Sequence, residues 1–285
     1  MIKKRTRFES LLFIHISNLC FATTAILISM LSSQFDGWFT ALARFAIGGM
    51  LGFSQLAITK KPFHIVRIRP WLGRGLFGAL AMILYYLSIS LGSPGRASLF
   101  NNSFPIFVAI ISIFALREKI RWATLAGIVF AFAGVALVLW DGTGMSFAAD
   151  AAGIASGFLA GISYHFNKRA SQTEHPVVIY LGVCLVGIIA TAFSWPQLLS
   201  ITPTAAILLV LAGIGAYAAQ ITITMGLRDI PTTEGSVHTF AKIPLTVLAG
   251  WLILGDAITV RFILGTVLLL TGLFLNDRRT ANKKI

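Results

Sequence analysis

The chain has 285 residues and is poor in charge, poor in acid and almost without cysteine. Charged residues make up 12% of it, about half the usual share of a soluble domain. A soluble protein of this size could not hide so much apolar surface, so an ordinary globular domain is excluded. The two cysteines, Cys20 and Cys184, both lie inside apolar runs, which leaves no disulfide framework and no cysteine zinc spacing. Also missing are an HExxH helix, a GxSxG elbow, a P-loop and a convincing carboxylate pair. These gaps speak against an intramembrane enzyme and exclude a nucleotide-driven pump in this chain by itself. No cofactor or metal site is legible.

What is present is hydrophobic residues, 56% of the total. They come in runs of roughly 20 residues, the length of a helix crossing a ~30 Å hydrocarbon core. The pattern predicts an all-α integral membrane protein with ten transmembrane helices at 9–31, 37–58, 70–91, 95–116, 120–140, 149–168, 175–195, 202–226, 233–254 and 258–276. Between them stand Gly, Pro and polar punctuation such as SSQFDG, GSPG, DGTGMS and RDIPTT. The opening MIKKRTRF resembles a signal peptide, but the apolar run from Ser10 to Leu31 is too long for one and is read as a retained first span.

The net charge of +13 would suggest nucleic acid in a soluble protein. Here topology accounts for it, and no nucleic-acid partner is expected. With the N-terminus placed in the cytoplasm, all but four of the 23 Lys and Arg fall on the inner side, Arg74 among them. The exceptions are Arg96 and Arg261 outside, and Arg44 and Lys242 within helices. This is a strong positive-inside signal, and it predicts a multi-pass protein of the cytoplasmic (inner) membrane with both termini cytoplasmic.

The two halves resemble each other. Pro105 pairs with Pro244, Glu118 with Asp256, Ile120 with Ile258, Gly127 with Gly265 and Gly134 with Gly272, with one gap between proline and acid. The repeats are 1–141 and 142–285. Each holds five helices, an odd number, so the second enters the membrane upside down. Inverted repeats of this kind recur in secondary transporters, where a site between the halves opens first to one side and then to the other.

Two five-helix halves, each with a helix-breaking proline, an acid after about twelve residues and Gly-x6-Gly in the last helix, resemble the EamA-type family of the drug/metabolite transporter superfamily. The Arg44-Phe45 pair fits the family's first repeat. The resemblance implies a ten-helix permease with a central cavity lined by helices 1, 3, 4, 6, 8 and 9. It implies movement of small metabolites, commonly amino acids and related compounds, often outward. The expected partners are a small-molecule substrate and the lipid bilayer. A monomer could suffice, and a homodimer stays open.

Polar groups inside the bilayer are costly and mark cavities or partners. Lys242 lies about ten residues into its helix, near the bilayer middle, too deep to snorkel easily. Glu234 and His238 precede it at spacings of four and share its face. Lys242 is either a cationic anchor for a substrate carboxylate or a lysine held by backbone carbonyls and Asn or Tyr groups. Pro244 and Pro105 free the carbonyls of Phe240 and Asn101 and predict kinks. For Arg44 the resemblance implies a structural bond to a neighbouring loop or helix end. Asn101, Asn102, His15, Asn18, Tyr85, Tyr164, His165 and Gln220 are the further cavity candidates, because they fall on the helices that the resemblance assigns to the cavity. Gly153, Gly157, Gly161, Gly48 and Gly52 are read as packing positions. Glu118 and Asp256 are read as caps of the following helices. With no midplane carboxylate, a carboxylate proton relay is unsupported. His15, His165 and His238 can titrate near neutral pH, and an uncoupled facilitator fits equally.

Overall fold

The computed structural model describes residues 5–31, 34–91, 94–140, 146–255 and 258–277. Its helices are α1 (Arg7–Ser29), α2 (Gly37–Ile58), α3 (Ile68–Leu91), α4 (Pro94–Asn101), α5 (Phe104–Phe114), α6 (Trp122–Leu139), α7 (Phe147–Ala170), α8 (Pro176–Thr191), α9 (Pro203–Leu227), α10 (Thr232–His238), α11 (Lys242–Leu254) and α12 (Val260–Asp277). Among the described residues nine segments are long and apolar enough to cross a bilayer, and Val260–Asn276 is a shorter apolar tenth. The starts are set locally. Thr6 and Glu9 form a capping box on α1, Asp36 accepts from the Phe39 N–H, and Thr202 accepts from the Ala205 N–H.

The molecule is apolar outside, and polar side chains are buried within its apolar interior. Phe147, Trp122 and Leu199 are more than four-fifths exposed, while Asn18, Gln220 and Arg74 are buried. That arrangement suits a hydrocarbon solvent and would precipitate a protein in water.

The fourth and ninth spans are each two helices, not one kinked helix. Asn102 and Ser103 separate α4 from α5, and a 3₁₀ turn at Thr239–Ala241 separates α10 from α11. The prolines begin the new helices instead of bending an old one: Pro105 and Pro244 both stand in a first turn, where a missing N–H costs nothing. The seventh span also differs from expectation, its last nine residues, Ala192–Ser200 with Pro196, being 3₁₀.

Each helix finds its main partners in the other repeat. α3 packs on α7, α1 on α9, α2 on α8 and α6 on α12. The Gly-x6-Gly motifs meet crosswise in that last pair. A methyl group on Gly127 would sit 2.7 Å from the Gly272 carbonyl oxygen, and one on Gly265 2.7 Å from that of Gly134. The glycines therefore let two backbones touch, about a pseudo-twofold axis. The stripe on α7 does the same for the fourth span: Gly153 and Gly157 face Phe100, and Gly161 faces Phe107.

The two ends of the bundle differ. At the end carrying Arg5 and Arg7, here called the basic end, α10 packs on α5. There Arg5 donates to the Met225 carbonyl, and Lys168 donates to the carbonyls of Arg228 and Ile230. At the opposite end α4 rests on α3, α6 and α7, while α11 rests on α1. The broken spans thus converge at the basic end and part at the other.

Candidate functional site

α1 runs parallel to the broken ninth span and meets it rung by rung. Arg7 Nε bonds Glu234 Oε1 at 2.6 Å. The His15 ring stands edge-on to His238 with centroids 5.5 Å apart. Asn18 Nδ2 donates to the His238 carbonyl at 2.8 Å. Phe21 lies 5.7 Å from Lys242 Nζ. Glu234, His238 and Lys242 all face α1, as their spacing predicts. The last step crosses the break: the Lys242 N–H turns to the carbonyls of Thr239 and Phe240, and Asn18 reaches the carbonyl that a continuous helix would have given to Lys242.

Lys242 is half-buried. Its ammonium rests over the faces of Phe21 and Phe104, 5.7 Å and 5.6 Å from the centroids. Among the described residues it makes no hydrogen bond or ion pair. The carbonyl, Asn or Tyr partners of a purely structural lysine are not its contacts. Two aromatic faces attract a cation, each by about 0.5–2 kcal/mol, and leave its N–H donors available.

Arg44 comes to the same place from α2. Its Nη1 donates to the Tyr86 hydroxyl at 3.0 Å, and its guanidinium carbon lies 5.8 Å from the Phe21 centroid. The bond therefore runs to a side chain within α3, not to a loop or helix end. Arg44 Nε and Nη2 are buried and make no well-formed hydrogen bond among the described residues, with the neutral Tyr180 hydroxyl beside the guanidinium. Phe21 is thus shared by two cations. Beside them the Tyr85 hydroxyl bonds Ser98 Oγ at 2.9 Å.

Arg74 belongs inside the bundle, not with the loop charges of the inner side. It is 5% exposed, with Nη1 bonded to Ser163 Oγ at 2.5 Å and Nη2 to Gln220 Oε1 at 2.7 Å. An arginine one to two turns inside a helix can snorkel outward. This one turns inward, where Gly78 leaves room: a methyl group there would lie 3.2 Å from Nη1. The flanking glycines in WLGRGLFG are the only sequence signal of that choice. Gln220 is thereby held by an arginine that sequence reasoning had counted with the charges of the inner side.

The remaining candidates divide. The Tyr164 ring lies tilted against Phe104, the ring beneath Lys242, with centroids 4.5 Å apart. His165 Nε2 lies 3.1 Å from the Val108 carbonyl oxygen and joins α7 to α5. Asn101 donates to Ser156 Oγ at 2.5 Å, and Asn102 to the Ser98 carbonyl at 2.7 Å. Glu118 does not cap α6, whose N-cap is Arg121 without a side-chain bond. Asp256 lies outside the described residues. Away from the cations, an apolar hollow of about 800 Å³ lined by Phe100, Phe107, Trp140 and Phe158 opens on the flank.

The EamA-like transporter family model matches residues 9–140 and again 147–276. The chain belongs to the EamA-like transporter family. Its two copies of the family unit coincide with the two inverted sets of five spans, in a multi-pass membrane protein. This EamA-like chain is similar to an uncharacterised transporter of Archaeoglobus fulgidus, 27% identical over 84% of this chain and 88% of the relative. It is 26% identical to an Escherichia coli K12 protein named a probable amino-acid metabolite efflux pump, over 82% of this chain and 83% of that one. A solved crystal structure shares the fold at TM-score 0.80 and 20% identity, across 94% of this chain and 97% of that chain.

Proposed function

We propose that the protein is a secondary permease that exports a small carboxylate-bearing metabolite, an amino acid or related zwitterion first, across the cytoplasmic membrane by alternating access. It moves its solute unchanged, as a carrier and not an enzyme, and a single chain is the working unit. Both termini are cytoplasmic, so the basic end faces the cytoplasm. The observation that carries this reading is the pair Lys242 and Arg44, which share Phe21 with no acid on either among the described residues. Unspent donors on two cations suit a carboxylate, through charge-assisted bonds roughly twice as strong as neutral ones. The aromatic rings Phe21, Phe104 and Tyr164 offer faces to the substrate's other end, its ammonium included. The name of the Escherichia coli relative supports the amino-acid choice.

A second reading, uptake of an anionic metabolite, is favoured by the excess of cations. Arg74 adds a third within the bundle, also bonded to neutral groups only.

The test is thermal stabilisation of the purified protein by L-alanine, L-glutamate, succinate and putrescine, beside Lys242→Met. Carboxylates are expected to raise the wild-type melting temperature and to lose that effect at least tenfold in potency in the folded variant. Succinate acting well ahead of both amino acids would favour the second reading. An unchanged ligand profile in the variant, or a response to putrescine alone, would sink the carboxylate assignment.

A further inference from the structure

The three cations stand at different depths. By helix rise, Arg74 lies about 10 Å from the basic end, Lys242 about 15 Å, and Arg44 about 10 Å from the opposite end. Arg44 and Lys242 already share one aromatic ring. Arg74 sits one step nearer the basic end, at the depth where the structure is closed. Its bonds run from α3 of the first repeat to α7 and α9 of the second, so they tie the two repeats together.

A buried guanidinium is normally balanced by an acid, because an unbalanced charge in a low-dielectric interior is costly. Arg74 has no acid among the described residues. It has two neutral acceptors, and its Nε is buried without a protein partner. A serine and a glutamine hold a guanidinium in place but are weak competitors for it. A carboxylate arriving in the same space makes the stronger, bidentate bond.

We infer that Arg74 is a second anion-binding position on the transport path, which takes up the substrate carboxylate when the basic end opens and passes it on to Lys242, and otherwise parks on Ser163 and Gln220. The inference rests on the carboxylate reading above and extends it. Lys242 and Arg44 bind from the opposite end, Arg74 from the basic end. Three cations in series give the anion a favourable group at each depth, so no single one has to bind too tightly for release.

The experiment reconstitutes the full-length protein in vesicles and measures flux of radiolabelled L-alanine, L-glutamate and succinate for wild type, Arg74→Gln, Arg74→Lys and Ser163→Ala. Arg74→Gln is expected to lose at least tenfold of the wild-type flux, while stabilisation by the same compound keeps its potency within threefold, because binding at Lys242 is intact. Ser163→Ala, which removes one parking partner but not the cation, keeps flux within threefold. Arg74→Lys falls between and raises the apparent KM from the basic end at least fivefold, with KM from the other end unchanged. If Arg74 is only a clamp, both of its ends matter alike, and Arg74→Gln and Ser163→Ala lose flux together. That result, or full flux in Arg74→Gln, overturns the inference and leaves the Lys242 assignment standing. Should Arg74→Gln fail to fold, the sided KM values of Arg74→Lys decide. Absence of carboxylate flux in wild type overturns the parent reading and this one with it.

Discussion

The fourth and ninth spans are broken at equivalent places, shortly before a proline, yet the two breaks are finished differently. The first is closed from within. Asn102 sends both its backbone N–H and its side-chain amide to the Ser98 carbonyl, at 2.9 Å and 2.7 Å, and Ser103 Oγ returns to Phe100 at 2.6 Å. α7 accommodates that closed turn with a glycine, since a methyl group on Gly157 would lie 2.7 Å from Ser103 Oγ. The second is closed from outside, by Asn18 on α1, and it carries Lys242 where its counterpart carries Ser103. The same backbone device is thus a packed joint in one half and a charged opening in the other. An inverted repeat supplies two equivalent positions, and the side chains alone make them different.

The comparison can be broken most severely by moving the charge. Ser103→Lys puts a long cation where Gly157 leaves no room and where the surroundings are 8% exposed. It is expected to abolish folded, membrane-inserted protein, measured as the monodisperse yield after detergent extraction. A well-folded variant would show that the two breaks are interchangeable. A smaller effect is expected at Asn18. Asn18→Leu removes an interhelical bond from the second break and is expected to cost about 1 kcal/mol, the scale of such bonds within membranes, read as a melting temperature a few degrees lower. Smallest is Asn102→Leu. The Ser98 carbonyl keeps its backbone N–H, and the variant also removes a buried Oδ1 that has no partner among the described residues. Its melting temperature is expected within about a degree of wild type, or slightly above. A drop larger than that of Asn18→Leu would reverse the assignment of which break is self-sufficient.

Span number, the internal repeat and Lys242 were legible in the sequence because each rests on a one-dimensional signal: run length, residue identity at a fixed offset, or a charge where none belongs. The shared face of Glu234, His238 and Lys242 followed from helical spacing alone. The complete breaks did not follow, because a proline is compatible with both a kink and a fresh start. The Asn18 bond that occupies the His238 carbonyl sits 220 residues away. Arg74 was misplaced for a related reason. Its position in the helix allows it to point either way, and the choice is made by Gly78, Ser163 and Gln220, two of which lie in the other repeat. Glu118 failed as a cap because α6 starts only at Trp122, past the reach of its side chain.

The crosswise glycine seam between α6 and α12 has the form of an isologous contact, one surface meeting an inverted copy of itself. Such a surface needs no dedicated partner. A five-helix chain inserted both ways up would close on itself through it, and the pair would carry identical residues at both breaks. A lysine at one would mean a lysine at the other, and two facing cations would repel. Joining the copies into a single polypeptide lifts that symmetry, so that one ancestral position can become Ser103 and the other Lys242.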